Sequence, residues 1–278
     1  MDINTEKLDS AHRFIESIYR ISLQWEAGQA SDSSSMAEDC ISQSAKYLPL
    51  NYCMSIQCLV CAVDHFYGAL KAYSFPSNVY AACTCTRGCL EASALAIYFS
   101  DTSVSPIQRM ARQYSWRING LSQATSTLFA LEDRAGDAEL VHERIAQITA
   151  EAASFGFHFD KALAASPEHR LRKMKITELV KSQLRMEANY RILSAVAHSH
   201  NWALIQVGMN ISGEGAQSFG NLTVKPEYFS FNLRTLVRSI GLANLTVSHY
   251  RDADTRVIVN CLEQATRAGL LVEADQFW

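Results

Sequence analysis

The chain has 278 residues, 48% of them hydrophobic, and its 28 acidic residues outnumber 25 Lys and Arg residues to leave a net charge of −3. There is no global basic excess of the kind that marks a nucleic-acid-binding protein, so any RNA site has to be local. The first residues lack the pattern of a signal peptide, and no window reaches roughly 18 uninterrupted apolar residues. We therefore expect a cytoplasmic protein without a membrane span.

Apolar residues spaced three and four apart predict helices along most of the chain. Ser35 and Glu38 form a capping box at the start of the second helix, and Asn78 is placed to cap the fourth. Ser105 is placed to cap the fifth, and Pro106 follows at a position where its missing N–H costs nothing. The helices predicted in this half of the chain cover residues 8–25, 35–48, 52–73, 78–99 and 106–133.

The second half continues the helical pattern with one interruption. Asp137 opens a helix that ends at Gly156, and Ser166 marks a further start. Residues 203–225 contain two β-leaning runs around a glycine-rich centre, which predicts a small peripheral β-hairpin. Further helices are predicted at residues 181–198, 229–248 and 252–271. The expected fold class is all-α, a single helical domain over residues 1–278 with a bundle of about eight to nine helices.

Four polar residues share one face of the helix predicted at 181–198. Arg191 and His198 are seven residues apart, almost two turns, so their side chains project from one face about 10 Å apart. Glu187 lies one turn before Arg191, where it can pair with it, and Ser194 lies between Arg191 and His198. A guanidinium binds a phosphodiester through two parallel hydrogen bonds, and a histidine exchanges protons near neutral pH. This pattern suits metal-free RNA cleavage by attack of a 2′-hydroxyl on the adjacent phosphorus.

The nine residues from Tyr190 to His198 resemble the Arg-x(4–6)-His motif of the HEPN superfamily, whose helical domains are common among prokaryotic toxins and antiviral ribonucleases. The stretch from Arg87 to Glu91 looks like the arginine–glutamate helix of uncharacterised actinobacterial helical proteins with a similar Tyr-Arg-x-Leu-Ser…His block. The resemblance covers a HEPN-like core of about residues 52–202. It departs from the family at Ile192, where the active ribonucleases usually carry a polar residue.

The resemblance implies a homodimer in which two Arg191–His198 pairs share one cleft and cleave RNA without a metal or other cofactor. Arg191 would hold the scissile phosphate, and His198 would act as acid or base, with Glu187 and Ser194 orienting them. A toxin or antiphage setting, with a neutralising protein partner, follows from the same resemblance.

Several residues outside this pair are candidates for binding RNA. Tyr190 and Trp202 flank the polar face and are placed to stack on bases, and Asn201 is placed to add a polar group to the same cleft. Arg109 and Arg112 share a helix face that could hold an RNA backbone. The densest basic run of the chain, an RNA-backbone site or an ordinary solvated face, comprises Arg170, Arg172, Lys173 and Lys175.

Other interpretations of these residues stay open. Arg191 can serve a purely structural role by pairing with Glu187 or Glu91, and His198 can stabilise a helix C-terminus. The chain is then a non-catalytic helical interaction module or a helical protein that binds a small molecule. Cys58 and Cys61 have the C-x-x-C spacing of zinc ligands, but they lie in an apolar helical run, so we predict buried thiols and no metal.

Overall fold

A computed structural model describes residues 5–27, 34–42, 50–74, 78–130, 135–212, 219–222 and 225–272. These residues are mostly α-helical, which confirms the predicted all-α class. They form eleven α-helices, so the predicted number of eight to nine is wrong. The helices are α1 (Thr5–Ala27), α2 (Ser35–Ser42), α3 (Leu50–Tyr73), α4 (Val79–Ser100), α5 (Pro106–Phe129), α6 (Ala135–Ser154), α7 (Ile176–Leu179), α8 (Glu187–Ala197), α9 (Asn201–Gly208), α10 (Pro226–Arg251) and α11 (Arg256–Arg267).

The helix starts follow the predicted caps closely but not everywhere. The Oγ of Ser105 accepts a hydrogen bond from the backbone N–H of Gln108 at 3.2 Å, so the predicted cap of α5 is confirmed. The cap of α2 is Ser34, one residue before the predicted Ser35, because its Oγ accepts from the N–H of Ala37 at 3.1 Å. Asn78 occupies the cap position of α4, but its side chain makes no capping hydrogen bond.

The helix predicted at 181–198 is interrupted. Helix α7 runs into a π-helical segment at Val180–Leu184, and Arg185 then adopts the left-handed conformation, with φ of 55°. The local sequence favours an α-helix here, and the π-helical segment that forms instead buries Val180 and Leu184 completely. Only the part from Glu187 onward forms the predicted helix. The predicted polar face therefore begins at the first residue of α8.

Helix α8 ends in a Schellman motif. Ser199 has a φ of 55°, and the N–H groups of Ser199 and His200 donate to the carbonyls of Val196 and Ala195, each at 2.9 Å. Helix α9 follows at once, so the prediction of an extended run at 203–208 is wrong. Its inward side chains, Ala203 and Val207, are four residues apart and buried, which is helical spacing.

Two short segments follow α9. They are β1 (Met209–Ser212) and β2 (Phe219–Leu222), which pair antiparallel with Met209 opposite Leu222 and Ser212 opposite Phe219. The glycine-rich centre of the predicted hairpin lies outside the described residues.

Helix α4 lies at the centre of the main hydrophobic core. It packs most extensively against α3 and then against α10. Helices α8 and α9 also contact it. Glycines allow the close approach of α3 and α4: a Cβ at Gly88 would lie 2.6 Å from the His65 ring, and one at Gly68 would lie 3.1 Å from the Cys85 Sγ. The position of Arg87, next to Gly88, is therefore fixed by a close contact between α3 and α4.

Helix α3 is the one described helix whose length and composition would let it cross a membrane, over Cys53–Tyr73. Of that apolar window 39% is buried within the protein. Leu59, Phe66 and Leu70 on this helix belong to the main core. A core helix passes the same test as a membrane span, so the feature is weak evidence for a membrane.

A second, smaller core lies between α5 and α6. Tyr114 and Ile118 of α5 pack with Ile148 and Ala152 of α6, and Leu171 from the following segment completes the cluster. That segment, residues 157–175, contains a short 3₁₀ helix at Pro167–His169, capped by the predicted Ser166. The fold of this segment fixes where the predicted basic run lies.

A fully buried ion pair joins three helices. The guanidinium of Arg109 in α5 donates to both carboxylate oxygens of Asp39 in α2, with the shortest contact at 2.8 Å. Tyr250 of α10 donates its hydroxyl to the same carboxylate at 2.6 Å. The remaining guanidinium edge donates to the carbonyls of Val104, at 2.6 Å, and Asp101, at 3.2 Å. Arg109 is 1% exposed, so it is not available to hold an RNA backbone.

Candidate functional site

Arg87 and Glu91 form an ion pair on the surface of α4. They are one helical turn apart, and Arg87 Nε donates to Glu91 Oε1 at 2.8 Å. Their side chains are 22% and 29% exposed, so the pair is only partly shielded from solvent. Four-residue spacing places both groups on one face of the helix. Tyr190 and His198, the other residues of the site, both contact this ion pair.

Tyr190 of α8 lies against this ion pair. Its hydroxyl donates to Glu91 Oε1 at 3.0 Å, and Arg87 Nη2 donates to the hydroxyl at 3.4 Å. The Arg87 guanidinium lies 5.5 Å from the centre of the tyrosine ring. A cation over an aromatic face and two hydrogen bonds therefore tie α8 to α4.

His198 stands at the open side of this cluster. Its Nε2 lies 3.5 Å from Arg87 Nη1, and its side chain is exposed. His198 is the C-terminal cap residue of α8, directly before the Schellman turn at Ser199. The ring of His200, also exposed, lies 6.5 Å from that of His198. A guanidinium and an imidazole thus face solvent side by side.

Arg191 points to a different partner. Its Nη2 and Nε donate to Glu187 Oε1 at 2.7 and 3.0 Å, so the expected pairing with Glu187 is present. Lys181 also lies 3.3 Å from the Glu187 carboxylate. The Arg191 side chain is 68% exposed, which leaves much of its guanidinium open to solvent. The arginine that contacts His198 is therefore Arg87 of α4. Arg191 lies almost two turns before His198 on α8.

The electrostatics of the cluster keep Arg87 charged and Tyr190 neutral. Burial by itself would lower the pKa of Arg87, but the Glu91 carboxylate and the Tyr190 hydroxyl outweigh burial, so the pKa of Arg87 lies above its ordinary value. Burial, and then the Glu91 charge, raise the pKa of Tyr190. Hydrogen bonds from Arg191 and Lys181 lower the pKa of Glu187. Arg87 is a permanent cation, and the Tyr190 hydroxyl stays protonated.

The supporting residues predicted from the sequence lie around this cluster with different exposure. Ser194 is half-buried on α8, and its carbonyl accepts the N–H of His198 at 3.0 Å. Asn201 is exposed at the start of α9. Tyr190 is only 5% exposed and its ring is covered by Arg87, which leaves no free face for a base. Trp202, at 52% exposure, is the accessible aromatic residue of the predicted pair.

The predicted basic run lies at a groove between α5 and residues 167–172. Arg170 and Arg172 line this groove together with Arg112 of α5, and its volume is about 200 Å³. Lys173 and Lys175 are exposed beyond its lining. The structure therefore separates the four basic residues into one pair that shares a groove and another that faces solvent.

Of the predicted C-x-x-C pair, Cys58 is half-buried and Cys61 is exposed, so the prediction of buried thiols is wrong for Cys61. Burial and, to a lesser extent, the neighbouring Cys61 raise the pKa of Cys58 to about 12. Burial also raises the pKa of Cys89 to about 12. Among the described residues, no group of three or more His, Cys, Asp or Glu side chains is arranged to hold a metal ion.

Sequence reasoning singled out Arg87 and Glu91 but assigned neither to the site. The available signal was the four-residue spacing of an arginine and a glutamate in an otherwise apolar helix, which forces a charge pair to the edge of the core. Sequence spacing relates residues of one helix, and it carries no information on which other helix lies opposite.

No protein-family model, no curated protein and no solved structure matches this chain.

Proposed function

We propose that this protein is a metal-independent endoribonuclease whose reacting groups are His198 and Arg87. The contact of 3.5 Å between His198 Nε2 and Arg87 Nη1, at the exposed side of a fixed polar cluster, is the observation that supports it. A proton-exchanging group and a cation side by side are what cleavage of a phosphodiester requires. Arg191, on the exposed face of α8, would bind the scissile phosphate or the next phosphate of the RNA strand.

The proposed reaction is an internal transfer. His198 takes the proton of the ribose 2′-hydroxyl, and the 2′-oxygen forms a bond to the adjacent phosphorus. Arg87 stabilises the negative charge that develops on the phosphoryl oxygens. The bond to the 5′-oxygen of the next nucleotide breaks, and that oxygen receives a proton from water or from a second copy of His198. The products are a 2′,3′-cyclic phosphate and a 5′-hydroxyl end.

Tyr190 and Glu91 act in this proposal as positioning residues. The carboxylate of Glu91 holds one edge of the Arg87 guanidinium at 2.8 Å, and the Tyr190 hydroxyl holds the Glu91 carboxylate at 3.0 Å. A guanidinium fixed in this way loses little conformational freedom when it binds a phosphate.

The direct test is incubation of the purified protein with a mixed RNA pool in EDTA, followed by analysis of the fragment ends. Wild-type protein and His200→Ala should produce cyclic-phosphate ends, and His198→Ala should not. His200 is the matched control because it is exposed and two residues away. Cleavage by His198→Ala at the wild-type rate would contradict the proposal, as would the absence of cleavage by wild type.

A non-catalytic interaction module is the second candidate. The exposed indole of Trp202, 52% accessible and four residues after His198, favours it, because large exposed aromatic side chains are typical of protein interfaces. This candidate predicts that Trp202→Ala weakens self-association or partner binding, measured by analytical ultracentrifugation. It also predicts that wild-type RNA cleavage is absent.

The biological setting belongs to the same proposal. We place the protein in the cytoplasm, as a homodimer in a toxin or antiphage system with a neutralising protein partner, following the resemblance of its Tyr190–His198 segment to the HEPN motif. A stably folded, peripheral β-hairpin within residues 203–225 is part of this proposal as well. Size-exclusion chromatography with light scattering tests the dimer, since a monomer at micromolar concentration contradicts it.

A further inference from the structure

The groove between α5 and residues 167–172 is lined by three arginines, one from α5 and two from the segment. We propose that it is a second, non-catalytic site that binds one phosphate group through Arg112, Arg170 and Arg172. The assignment of that phosphate to an RNA strand rests on the proposed function, whereas the phosphate site itself does not. A free phosphorylated small molecule has the same chemistry, and the experiment below separates the two sources.

The backbone that carries the two groove arginines is held in place. The N–H of Arg172 donates to the Oγ of Ser115 at 3.0 Å, and Ser115 is itself buried in α5. On the other side, Arg170 forms an isolated bridge with His158, in which the N–H of Leu171 donates to the His158 carbonyl at 2.9 Å. A fixed backbone limits how far the two guanidinium groups can move from the groove.

The third arginine is fixed by its side chain. Arg112 Nη1 donates to the carbonyl of Tyr98 at 2.7 Å and to Asp101 Oδ2 at 3.1 Å, and its guanidinium lies 4.2 Å from the centre of the Tyr98 ring. One edge and one face are thus used, and the side chain lines the groove. A guanidinium held in this way binds an anion at small entropic cost.

The charges of the groove favour a single anion. Arg170 and Arg172 have no ion pair with any carboxylate among the described residues, whereas Asp101 partly offsets the charge of Arg112. Glu168 also lines the groove and adds one negative charge. The balance remains positive, and the Glu168 carboxylate is an acceptor suited to a sugar hydroxyl beside the phosphate.

The size of the groove supports the same ligand. Its volume of about 200 Å³ is below the usual range of pockets that enclose a whole small-molecule ligand. A phosphate group fits such a volume, with the rest of the ligand in solvent. A nucleic-acid strand, whose phosphates are exposed along its length, meets this condition.

The groove is distinct from the His198 cluster. Arg87 contacts His198, and Tyr98 contacts Arg112 of the groove. These two residues are eleven positions apart on α4, and so about 16 Å apart along the helix axis. An RNA strand bound at both sites would therefore place different phosphates in them.

The test uses two matched double variants in a His198→Ala background, so that RNA stays intact whether or not the protein is a ribonuclease. Arg170→Gln with Arg172→Gln removes two charges inside the groove, and Lys173→Gln with Lys175→Gln removes two just outside it. Binding of a fluorescent single-stranded RNA oligonucleotide is measured by anisotropy against salt concentration. Binding of inorganic phosphate is measured by calorimetry.

We expect the groove variant to lose at least tenfold in RNA affinity and its salt slope to fall by about 0.7, the value for one lost phosphate contact on a single strand. The outside variant should lose less than threefold, and inorganic phosphate should bind only where the groove is intact and should compete with RNA. Equal losses in both variants, or no phosphate binding, overturn the site. Phosphate binding without RNA competition overturns the RNA assignment and identifies a free phosphorylated ligand.

Discussion

The Nε2 atom of His198 lies 3.5 Å from the guanidinium of Arg87, although 111 residues separate them in the chain. The contact exists because α4 and α8 pack side by side and Tyr190 fixes their relative position through Glu91. The cation beside the histidine therefore comes from another helix than the sequence pattern indicates.

Replacement of Arg87 should affect RNA cleavage more than replacement of Arg191. We expect Arg87→Gln to lower kcat about 100-fold, because it removes the cation nearest His198. Arg191→Gln, which removes an exposed cation of the same charge, should lower kcat less than about tenfold and mainly raise KM. Rates are measured on a single RNA substrate, and melting temperatures show whether the fold is kept. A larger loss of kcat in Arg191→Gln would return the catalytic role to Arg191.

Loss of the carboxylate beside Arg109 should strongly destabilise the protein. Asp39→Ala leaves the fully buried Arg109 guanidinium with only the exposed Glu38 carboxylate, 3.8 Å away, as counter-ion, and we expect a cost of about 3–5 kcal/mol of unfolding free energy. The measurement is urea denaturation followed by circular dichroism. Asp254→Ala is the control, because the Asp254–Arg256 pair is exposed and its loss should change stability little. Similar effects of both substitutions would contradict the buried role of Arg109.

Alanine at position 88 should destabilise the protein although alanine is the better helix former. The added Cβ would lie 2.6 Å from the His65 ring, and such overpacking costs about 1–3 kcal/mol. Gly120→Ala in α5 is the matched control: no atom lies within 4 Å of the added Cβ, so we expect a gain of about 1 kcal/mol. The double variant Gly88→Ala with His65→Ala should recover part of the loss. A stabilising Gly88→Ala would contradict the close approach of α3 and α4.

Glycine at position 199 should stabilise the protein. Ser199 has a φ of 55°, a conformation that costs a non-glycine residue about 1 kcal/mol. We expect Ser199→Gly to raise the unfolding free energy by about 0.5 kcal/mol, because the greater freedom of glycine in the unfolded chain offsets part of the gain. Ser199→Ala keeps the strain and should bring no such gain. Thermal denaturation distinguishes the two variants.

The contribution of Asp101 to stability should depend on pH. Burial tends to raise its pKa, but hydrogen bonds from Ser103 and the charge of Arg112 outweigh burial, so the pKa lies below its ordinary value of 3.8. A lowered pKa in the folded state means that this stabilisation is complete above the unfolded-state value and is lost as pH falls through the folded-state value. Asp101→Asn should therefore be less stable than wild type at pH 7, and the difference should shrink in acid.

Acid denaturation curves of both proteins measure this difference. Asp9→Asn, at an exposed position on α1, is the control for the loss of one charge. A difference that grows as the pH falls below 3.8 would contradict the assigned role of Asp101.

Helix positions were predictable from the sequence where one face is apolar over several turns. The starts of α3, α4 and α5 follow from this pattern and, for α5, from the cap at Ser105. The π-helical segment at Val180–Leu184 was not predictable, because π-helical turns are rare and the apolar spacing of Val180 and Leu184 also fits an α-helix. Residues 203–208, rich in β-branched and apolar side chains, form a helix against their local preference.

The candidate site was predictable only in part. The pairing of Arg191 with Glu187 follows from helical spacing, since both residues lie on one helix. The approach of Arg87 to His198 depends on the packing of α8 against α4, and no local pattern encodes it. Likewise, Arg109 reads as one more surface arginine until Asp39, 70 residues earlier, is found beside it.

The Asp39 carboxylate sits on α2, ahead of the predicted HEPN-like core of residues 52–202, and its second hydrogen-bond donor, Tyr250, sits beyond the end of that core. A fragment limited to the core would retain Arg109 and lose both of these groups. We expect such a fragment to expose α5 or to aggregate rather than to fold, so residues outside 52–202 decide whether this core can exist on its own. Any test of the proposed activity therefore has to begin with point substitutions in the whole chain.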